Sequence, residues 1–494
     1  MPKIKVALLL SPWESRSPIL SFRKDLAKND LISLTSLTYV QSKFDKIRRS
    51  QGGSEKTNNF DIVFDFRQNV LPSKIPTYFG KKIVQINEKS LFNFPTIRTL
   101  IAVTLQHPAS FFKITVIERS ENGDKVSFRE GTVQTHCGIR KTDENKLKII
   151  LSICSSIIFG NLAMKENIED LHTNRLNKMF QVFSFITLFA RVPILLIKRI
   201  LVVSLEPFKN LKIKMDKKIR ISHVNIKKEY NWNIAFSYEP FSVTSQIRFS
   251  QIESPKDGFL ADPFVYQRDE KTFIFAEHYS TERQKGHISC VEISENITPS
   301  IKPVVVEKFH MSFPFIFDYE GNTYMCPETS ESKDIRLYRC TNFPLQWKFE
   351  GTLMSNVSAA DSMIFYHKNK WWLFTNIDSA GVGGHDTELF IFYADSPLTN
   401  KWNSHPLNPI YTDSRFARNG GFFRDNGSIF RVSQIKGFDK YANGIRINKV
   451  VELSEQLFQE VYVREIRNSP GPVNSDIHHL HSNGSNTVVD YFQE

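Results

Sequence analysis

Paired cysteines are missing from this chain. Its 494 residues hold five, Cys137, Cys154, Cys290, Cys326 and Cys340, and no two form a CxxC pair. The odd count and wide spacing argue against a disulfide framework or a zinc site, so no metal is expected, and they favour a reducing compartment. A clean membrane-spanning run is also missing. The most apolar stretch, residues 179–205, is broken by Arg191, Pro193, Lys198 and Arg199, whereas a spanning helix needs about 20 mostly apolar residues. The opening segment, MPKIKVALLLSPWES, has an apolar run too short for the core of a signal peptide and reads as a first β-strand. No recognition helix, zinc finger or base-stacking motif accompanies the net charge of +12, so no nucleic-acid partner is expected.

The charge is uneven. Residues 1–230 hold 39 Lys+Arg against 20 Asp+Glu, and residues 231–494 hold 25 against 32. Three regions follow. Residues 1–160 read as an α/β domain, with IKVALLL (4–10), FDIVFDF (60–66) and KIVQI (82–86) as buried parallel strands and a strand pair around the turn Glu121-Asn122-Gly123-Asp124. Residues 161–230 read as an apolar and basic helical linker. Its Lys209, Lys212, Lys214, Lys217, Lys218 and Arg220 suit an anionic membrane surface; a helix packed between domains is the alternative. Residues 231–494 read as an all-β domain.

That last reading rests on a repeat. Five 17-residue copies lie at 261–277, 312–328, 360–376, 418–434 and 475–491. Strand-built repeats of roughly 40–50 residues are what propeller blades require, so a five-bladed β-propeller is expected. Positions nine and ten are Asp269-Glu270, Glu320-Gly321, Lys368-Asn369, Asn426-Gly427 and Asn483-Gly484. Asn-Gly is a strong signal for a two-residue hairpin turn. With that turn, position two faces position seventeen, pairing Asp262 with Glu277, Phe313 with Glu328, Asp361 with Asn376, Asn419 with Gln434 and Asp476 with Tyr491. Polar ends and apolar middles then place these groups around one axial funnel. Trp371 and Trp372, mid-strand, read as blade core before sugar platforms.

The segments ADPFVY, SFPFIF, LYRCTNFPLQW, ADSMIFYHKNKWWLF, YADSPLTNKWNSHPLNPI and ARNGGFFRDNGSIFRVSQ, with the final HHL, resemble the N-terminal domain of glucosamine inositolphosphorylceramide transferases and its bacterial relatives. The resemblance covers about residues 240–494. It implies a domain distantly similar to five-bladed furanosidases and xylosidases, which use axial carboxylates. In the bacterial relatives the propeller follows a formyltransferase-like (Rossmann-type) domain, and residues 1–160 look like a degenerate version. The Asn–His–Asp set of that superfamily is not matched: Asn87 lacks a neighbouring histidine, and His107 and His136 sit in no similar motif. In the fourth repeat Asn419-Gly420 stands where relatives have Pro-Ala, a change expected to widen or re-aim the pocket.

Glycosyl chemistry needs one group to handle a proton and another to stabilise or attack an oxocarbenium-like centre. Glu328, facing the apolar Phe313, is the expected proton donor. Asp262 is the expected general base and Asp361 an orienting or tuning group. Glu277, Asn376, Gln434 and Asp476 complete the substrate-binding set, with Arg418 as a grip for phosphate or carboxylate. His478 or His479 is a candidate ligand for an axial ion or water, a satisfied structural histidine being the alternative. The expected function is a glycosyltransferase of surface-polysaccharide or glycolipid assembly. It would use an activated sugar donor, with no other cofactor, and be cytoplasmic or peripheral at the inner face of the membrane. A glycoside hydrolase and a non-catalytic glycan-binding scaffold remain open alternatives.

Overall fold

A computed structural model describes residues 4–10, 23–29, 32–39, 47–49, 60–65, 80–86, 109–118, 125–135, 139–158, 165–166, 232–243, 247–294, 300–438, 442–467 and 475–493. The chain divides into two compact units, Met1–Lys165 with Asn231–Glu494, and Glu166–Tyr230. The expected interfacial helix (179–205), the basic residues 209–220, and Asn87, His107 and His136 lie outside the described residues. Among the described residues no helix is long and apolar enough to cross a membrane.

The N-terminal region is a mixed eight-stranded sheet. Ile32–Tyr39, Ile4–Leu10, Phe60–Asp65 and Gly80–Ile86 run parallel in that order. Ala109–Glu118 and Lys125–Gln134 then add antiparallel strands. The expected parallel strands are present; Ile32–Tyr39 is an addition whose polar alternation hid it. The helix Ile139–Ile158 buries Leu147, Ile150, Cys154 and Ile157, an i, i+3/i+4 stripe, in the same apolar cluster as Val6, Phe64 and Val84.

The remaining strands form a five-bladed propeller. Blade 1 is Gly258–Arg268, Lys271–Ser280, Lys285–Ile293 and Ile301–Val305. Blade 2 is Ser312–Tyr319, Asn322–Glu328, Asp334–Asn342 and Gln346–Ser355. Blade 3 is Ala359–His367, Lys370–Ile377, Glu388–Ala394 and Asn403–Ser404, with Tyr411–Thr412 alongside. Blade 4 is Asn419–Asp425, Ser428–Gln434, Ile445–Leu453 and Phe458–Ile466. Blade 5 joins Ser475–Asp476, Leu480–Ser482 and Thr487–Gln493 to Trp232–Ser237 and Ser250–Ile252. First strands of successive blades touch around the ring, and Leu480–Ser482 touches both Asn419–Asp425 and Gly258–Arg268. The aromatic middles pack between blades, as Phe264 does against Phe313 and Phe315. Trp371 and Trp372 are buried in blade 3.

The turns explain the register, with two corrections. Four hairpins turn on the two expected residues, Asp269/Glu270, Glu320/Gly321, Lys368/Asn369 and Asn426/Gly427, all at positive φ. The fifth does not. Ser482 pairs with Thr487, so residues 483–486 form a four-residue turn in which Asn483 Oδ1 accepts the Ser485 and Asn486 N–H groups. A one-residue shift between Asp476 and Leu480 then sets Asp476 opposite Phe492 rather than Tyr491. The second correction is a bulge. Position one, not two, faces position seventeen: Ala261 with Glu277, Ser312 with Glu328, Ala360 with Asn376. Position two is squeezed out of the ladder into left-handed backbone, at φ +49° for Asp262, +46° for Phe313 and +49° for Asp361. Asp tolerates that region better than most residues, and such strain gathers at functional sites. In blade 4 the extra residue is Gly420, so Asn419 faces Ser433 rather than Gln434.

Candidate active site

The bulges place the acids. Asp262 and Asp361 leave the inner strands of blades 1 and 3 at position two, while Glu277 lies near the end of the second strand of blade 1 and Glu328 ends that of blade 2. All four are buried. Arg418, which begins the fourth copy, reaches two of them, Asp361 and Glu328, and a further acid, Asp386. Its Nε donates to Asp361 Oδ2 at 2.6 Å, its Nη1 to Asp386 at 3.2 Å, and its Nη2 stands 4.0 Å from Glu328 Oε2. Glu328 Oε1 accepts the Ser330 hydroxyl at 2.8 Å. Gln434 Nε2 also reaches Asp361, at 3.3 Å. The grip expected of Arg418 thus holds the protein's own carboxylates.

A second cluster completes the ring. His478 lies between two acids, Nε2 at 3.1 Å from Asp262 Oδ1 and Nδ1 at 3.0 Å from Asp490 Oδ2. Asp490 also accepts the backbone N–H groups of Asp262 (3.0 Å), His478 (3.2 Å) and His479 (2.9 Å). Burial works against a charge on His478, but Asp490 and Asp262 raise its pKa to about 10. Burial works to raise the Asp262 pKa, yet the hydrogen bond and charge of His478, with His479 and Arg418, hold it at about 2. Burial lowers His479 to about 4, so it is neutral, packed on Phe264 and Phe313.

The other acids are driven upward. Burial, then the charges of Asp262 and Glu328, push Glu277 well above the usual carboxylate range. Burial pushes Asp361 up to about 7, with Glu328 and Asp262 adding to it and Arg418 opposing. Asp386 goes the other way: burial is overcome by Lys436 and Arg418, which hold it well below the usual range. Burial lowers Lys436, 2.9 Å from Asp386, to about 8. These mutual influences tie Asp262, Glu277, Glu328 and Asp361 to one environment.

An axial cation fits poorly. Asp262, His478 and Asp490 each bring a ligand atom within 4.8 Å of the others. Both His478 nitrogens, however, already face carboxylates at ion-pair distance, and a protonated imidazole has no lone pair for a metal.

The remaining expected site residues divide. Asn376 spends its side chain on the backbone, donating to the Glu388 and Ala417 carbonyls and accepting from Asn419 N–H. It holds blade 3 to blade 4 and is not offered to a ligand. Asp476 is half-buried at a strand start. The space beside Gly420 is not widened: a Cβ there would sit 2.6 Å from the His478 carbonyl oxygen. The apolar environment expected for Glu328 from Phe313 across the hairpin is replaced by Ser312 opposite and Ser330 above. Asp386, Lys436, Asp490, His310 and His385 are additions. Asp490 was hidden by the four-residue turn, which moves position sixteen of the fifth copy to the axis. Asp386 and His385 lie in the glycine-rich loop of blade 3, outside the repeat. His310 precedes the second copy, its Nε2 3.5 Å from Glu277.

A closed five-bladed ring with acids converging from the inner hairpins defines a propeller of the kind built around an axial site. The chain belongs to the family described as "Glucosamine inositolphosphorylceramide transferase 1, N-terminal", whose model matches residues 216–474. It is similar to glucosamine inositolphosphorylceramide transferase 1 of Arabidopsis thaliana, 38% identical over 212 residues, covering 42% of this chain and 27% of the relative. The protein of that name from Oryza sativa subsp. japonica is 34% identical over 211 residues, covering 42% and 28%. The chain thus spans little more than a quarter of the length of these relatives. Among solved structures it is similar to the catalytic domain of the Coprinopsis cinerea GH62 α-L-arabinofuranosidase. The TM-score is 0.38 at 12% identity, covering 53% of this chain and 97% of that one. It is also similar to a thermostable family-43 glycoside hydrolase, with TM-score 0.37 at 13% identity, covering 49% and 88%. The family match begins at residue 216, so the formyltransferase likeness of residues 1–160 gains no support from it.

Proposed function

We propose that the axial cluster is a glycan-active site and that the chain works as a glycosyltransferase in surface-polysaccharide or glycolipid assembly. One observation supports the site above others: a single guanidinium, Arg418, stands within 4.0 Å of Glu328, Asp361 and Asp386, acids from two blades. The names of the plant relatives support the transferase reading. In this reading Asp262, kept ionised by His478, is the general base. Glu328 delivers the proton, and Asp361, poised near neutrality, tunes or orients. Glu277, Gln434 and Arg418 line the place where a sugar would lie.

Hydrolysis is the second reading, favoured by a specific feature. Each described cation of the cluster, Arg418, Lys436 and His478, is paired with a protein carboxylate. A donor's diphosphate would have to displace one of these pairs. The deciding experiment incubates the protein with glycosides in water without nucleotide, and separately follows its protection on adding a nucleotide sugar or a lipid-linked acceptor. Sugar release without nucleotide selects hydrolysis, and protection by donor or acceptor selects transfer. Neither response, with Asp262, Glu328 and Asp361 intact, would remove the catalytic reading. The basic linker is proposed to hold the chain at an anionic membrane face.

A further inference from the structure

Residues 378–387, the glycine-rich loop between the second and third strands of blade 3, touch two distant parts of the molecule. At their near end, Ala380 and Val382 pack against the apolar cluster of the N-terminal sheet and helix. Ser379 shares a hydrogen bond of 3.1 Å with Ser152 of that helix. The loop is internally braced: Asp378 accepts the Val382 and Gly383 N–H groups at 2.8 Å each, and Gly381 and Gly383 adopt left-handed backbone. At their far end, Asp386 bridges Lys436 (2.9 Å) and Arg418 (3.2 Å), and His385 Nε2 meets the Ser358 hydroxyl at 3.0 Å.

The N-terminal sheet is seated firmly beside this loop. Thr132 Oγ1 donates to Asp413 at 2.6 Å, and the two residues form a parallel bridge. Arg129 donates to the Pro409 carbonyl and to Thr412 Oγ1. Its charge also acts on the buried Glu388, which follows the loop and accepts the Ser379 hydroxyl. The Arg415 guanidinium lies over the Phe111 ring at 5.1 Å.

We propose that the N-terminal domain is part of the site's architecture: by gripping Ala380 and Val382 it holds Asp386 against Arg418 and Lys436, so that Asp386 is the positioning residue for the Arg418–Asp361 pair. The proposal rests on the reading of the Arg418 cluster as the working site, but its test needs no turnover. Lys436 is the reporter, because it is buried beneath Asp386 and its amine reacts with acylating reagents only when uncovered.

The full-length protein is labelled with acetic anhydride, and Lys436 is followed by peptide mass spectrometry with hydrogen exchange in parallel. Val382→Asp, which breaks the grip without touching the site, is expected to speed Lys436 labelling about tenfold or more by local opening, while residues 271–280 keep their protection. Val382→Ile is expected to restore the wild-type rate. Arg129→Ala, which loosens the N-terminal sheet from Pro409 and Thr412 beside the loop, serves if Val382→Asp fails to fold. Lys436 faces Asp386, Arg418 and Asp361; Asp386→Asn is expected to move its labelling profile to lower pH by removing the nearest negative charge. An unchanged Lys436 rate in Val382→Asp or Arg129→Ala, with exchange showing helix 139–158 loosened, overturns the proposal. A wild type that neither releases sugar from glycosides nor is protected by a nucleotide sugar or lipid-linked acceptor would instead count against the functional reading alone.

Discussion

Arg418 Nε and Asp361 Oδ2 lie 2.6 Å apart, one from the start of blade 4 and the other from the bulge of blade 3. This pair makes an acid at about 7 out of a group that burial alone would drive higher. Arg418→Met should raise the Asp361 pKa further, as read by carboxyl-carbon NMR. It should cost about 3–5 kcal/mol of stability, the range for stranding one partner of a buried pair. The sign follows from the acids left behind: a carboxyl whose folded pKa is raised loses stability as pH rises through that value. The loss should therefore be larger at pH 8 than at pH 5, and an equal loss at both would contradict it.

Glu328→Gln keeps the shape of the side chain and removes the carboxyl group that the proposed proton transfer requires. Turnover should vanish while Tm stays within about 2 °C, the shift that less than 1 kcal/mol makes in a chain of this size. Wild-type turnover in this variant would take Glu328 out of the mechanism.

The Asp262–His478–Asp490 clamp has a pH signature of its own. His478 is raised from 6.5 to about 10 by folding. Its contribution is thus complete below pH about 6.5 and lost as pH climbs through about 10. Asp490→Asn, which weakens the hold on that proton, should shift the decline to lower pH in urea unfolding between pH 6 and 10. Superimposable profiles for variant and wild type would show that the imidazolium is not what stabilises this blade.

Glycines 421 and 427 separate close approach from turn geometry. A Cβ on Gly421, at φ +126°, would fall 1.9 Å from the Leu480 carbonyl oxygen of blade 5. A Cβ on Gly427, at φ +73°, meets nothing within 4 Å. Gly421→Ala should cost about 4 kcal/mol through a backbone clash, and Gly427→Ala about 1–2 kcal/mol for left-handed strain. Equal Tm values would mean that blades 4 and 5 are not pressed together as described.

The basic linker makes a separate prediction. Anionic vesicles should co-sediment the protein, with binding that weakens as salt is added; equal binding to neutral vesicles would remove residues 209–220 from that role.

The ring and its hairpins were legible because turn chemistry is local: Asn426-Gly427 announces its own backbone. The axial acids were legible as a set, since Asp262 and Asp361 recur at one repeat position. Their exact partners were not. The bulge at position two adds one residue to the inner strands of blades 1, 2 and 3, so counting from the turn placed Phe313 opposite Glu328, where Ser312 stands. Asp490 escaped because a four-residue turn resets the count in the last copy. Asp386 and Lys436 escaped because they meet only through the tertiary fold, one from a loop and the other just beyond Gln434. Arg418 read as a hand for a substrate; nothing local told that three acids of its own chain already fill it.

Blade 5 takes Trp232–Ser237 from the entrance of the domain and Thr487–Gln493 from its far edge. His478 and Asp490 belong to that jointly made blade. A polypeptide still emerging from the ribosome, lacking residues 487–493, has only Asp262 beside His478 and only Ser250–Ile252 beside Trp232–Ser237. The first four blades can stack in order of synthesis, but competence must arrive last and all at once, when the two ends of the propeller zip together.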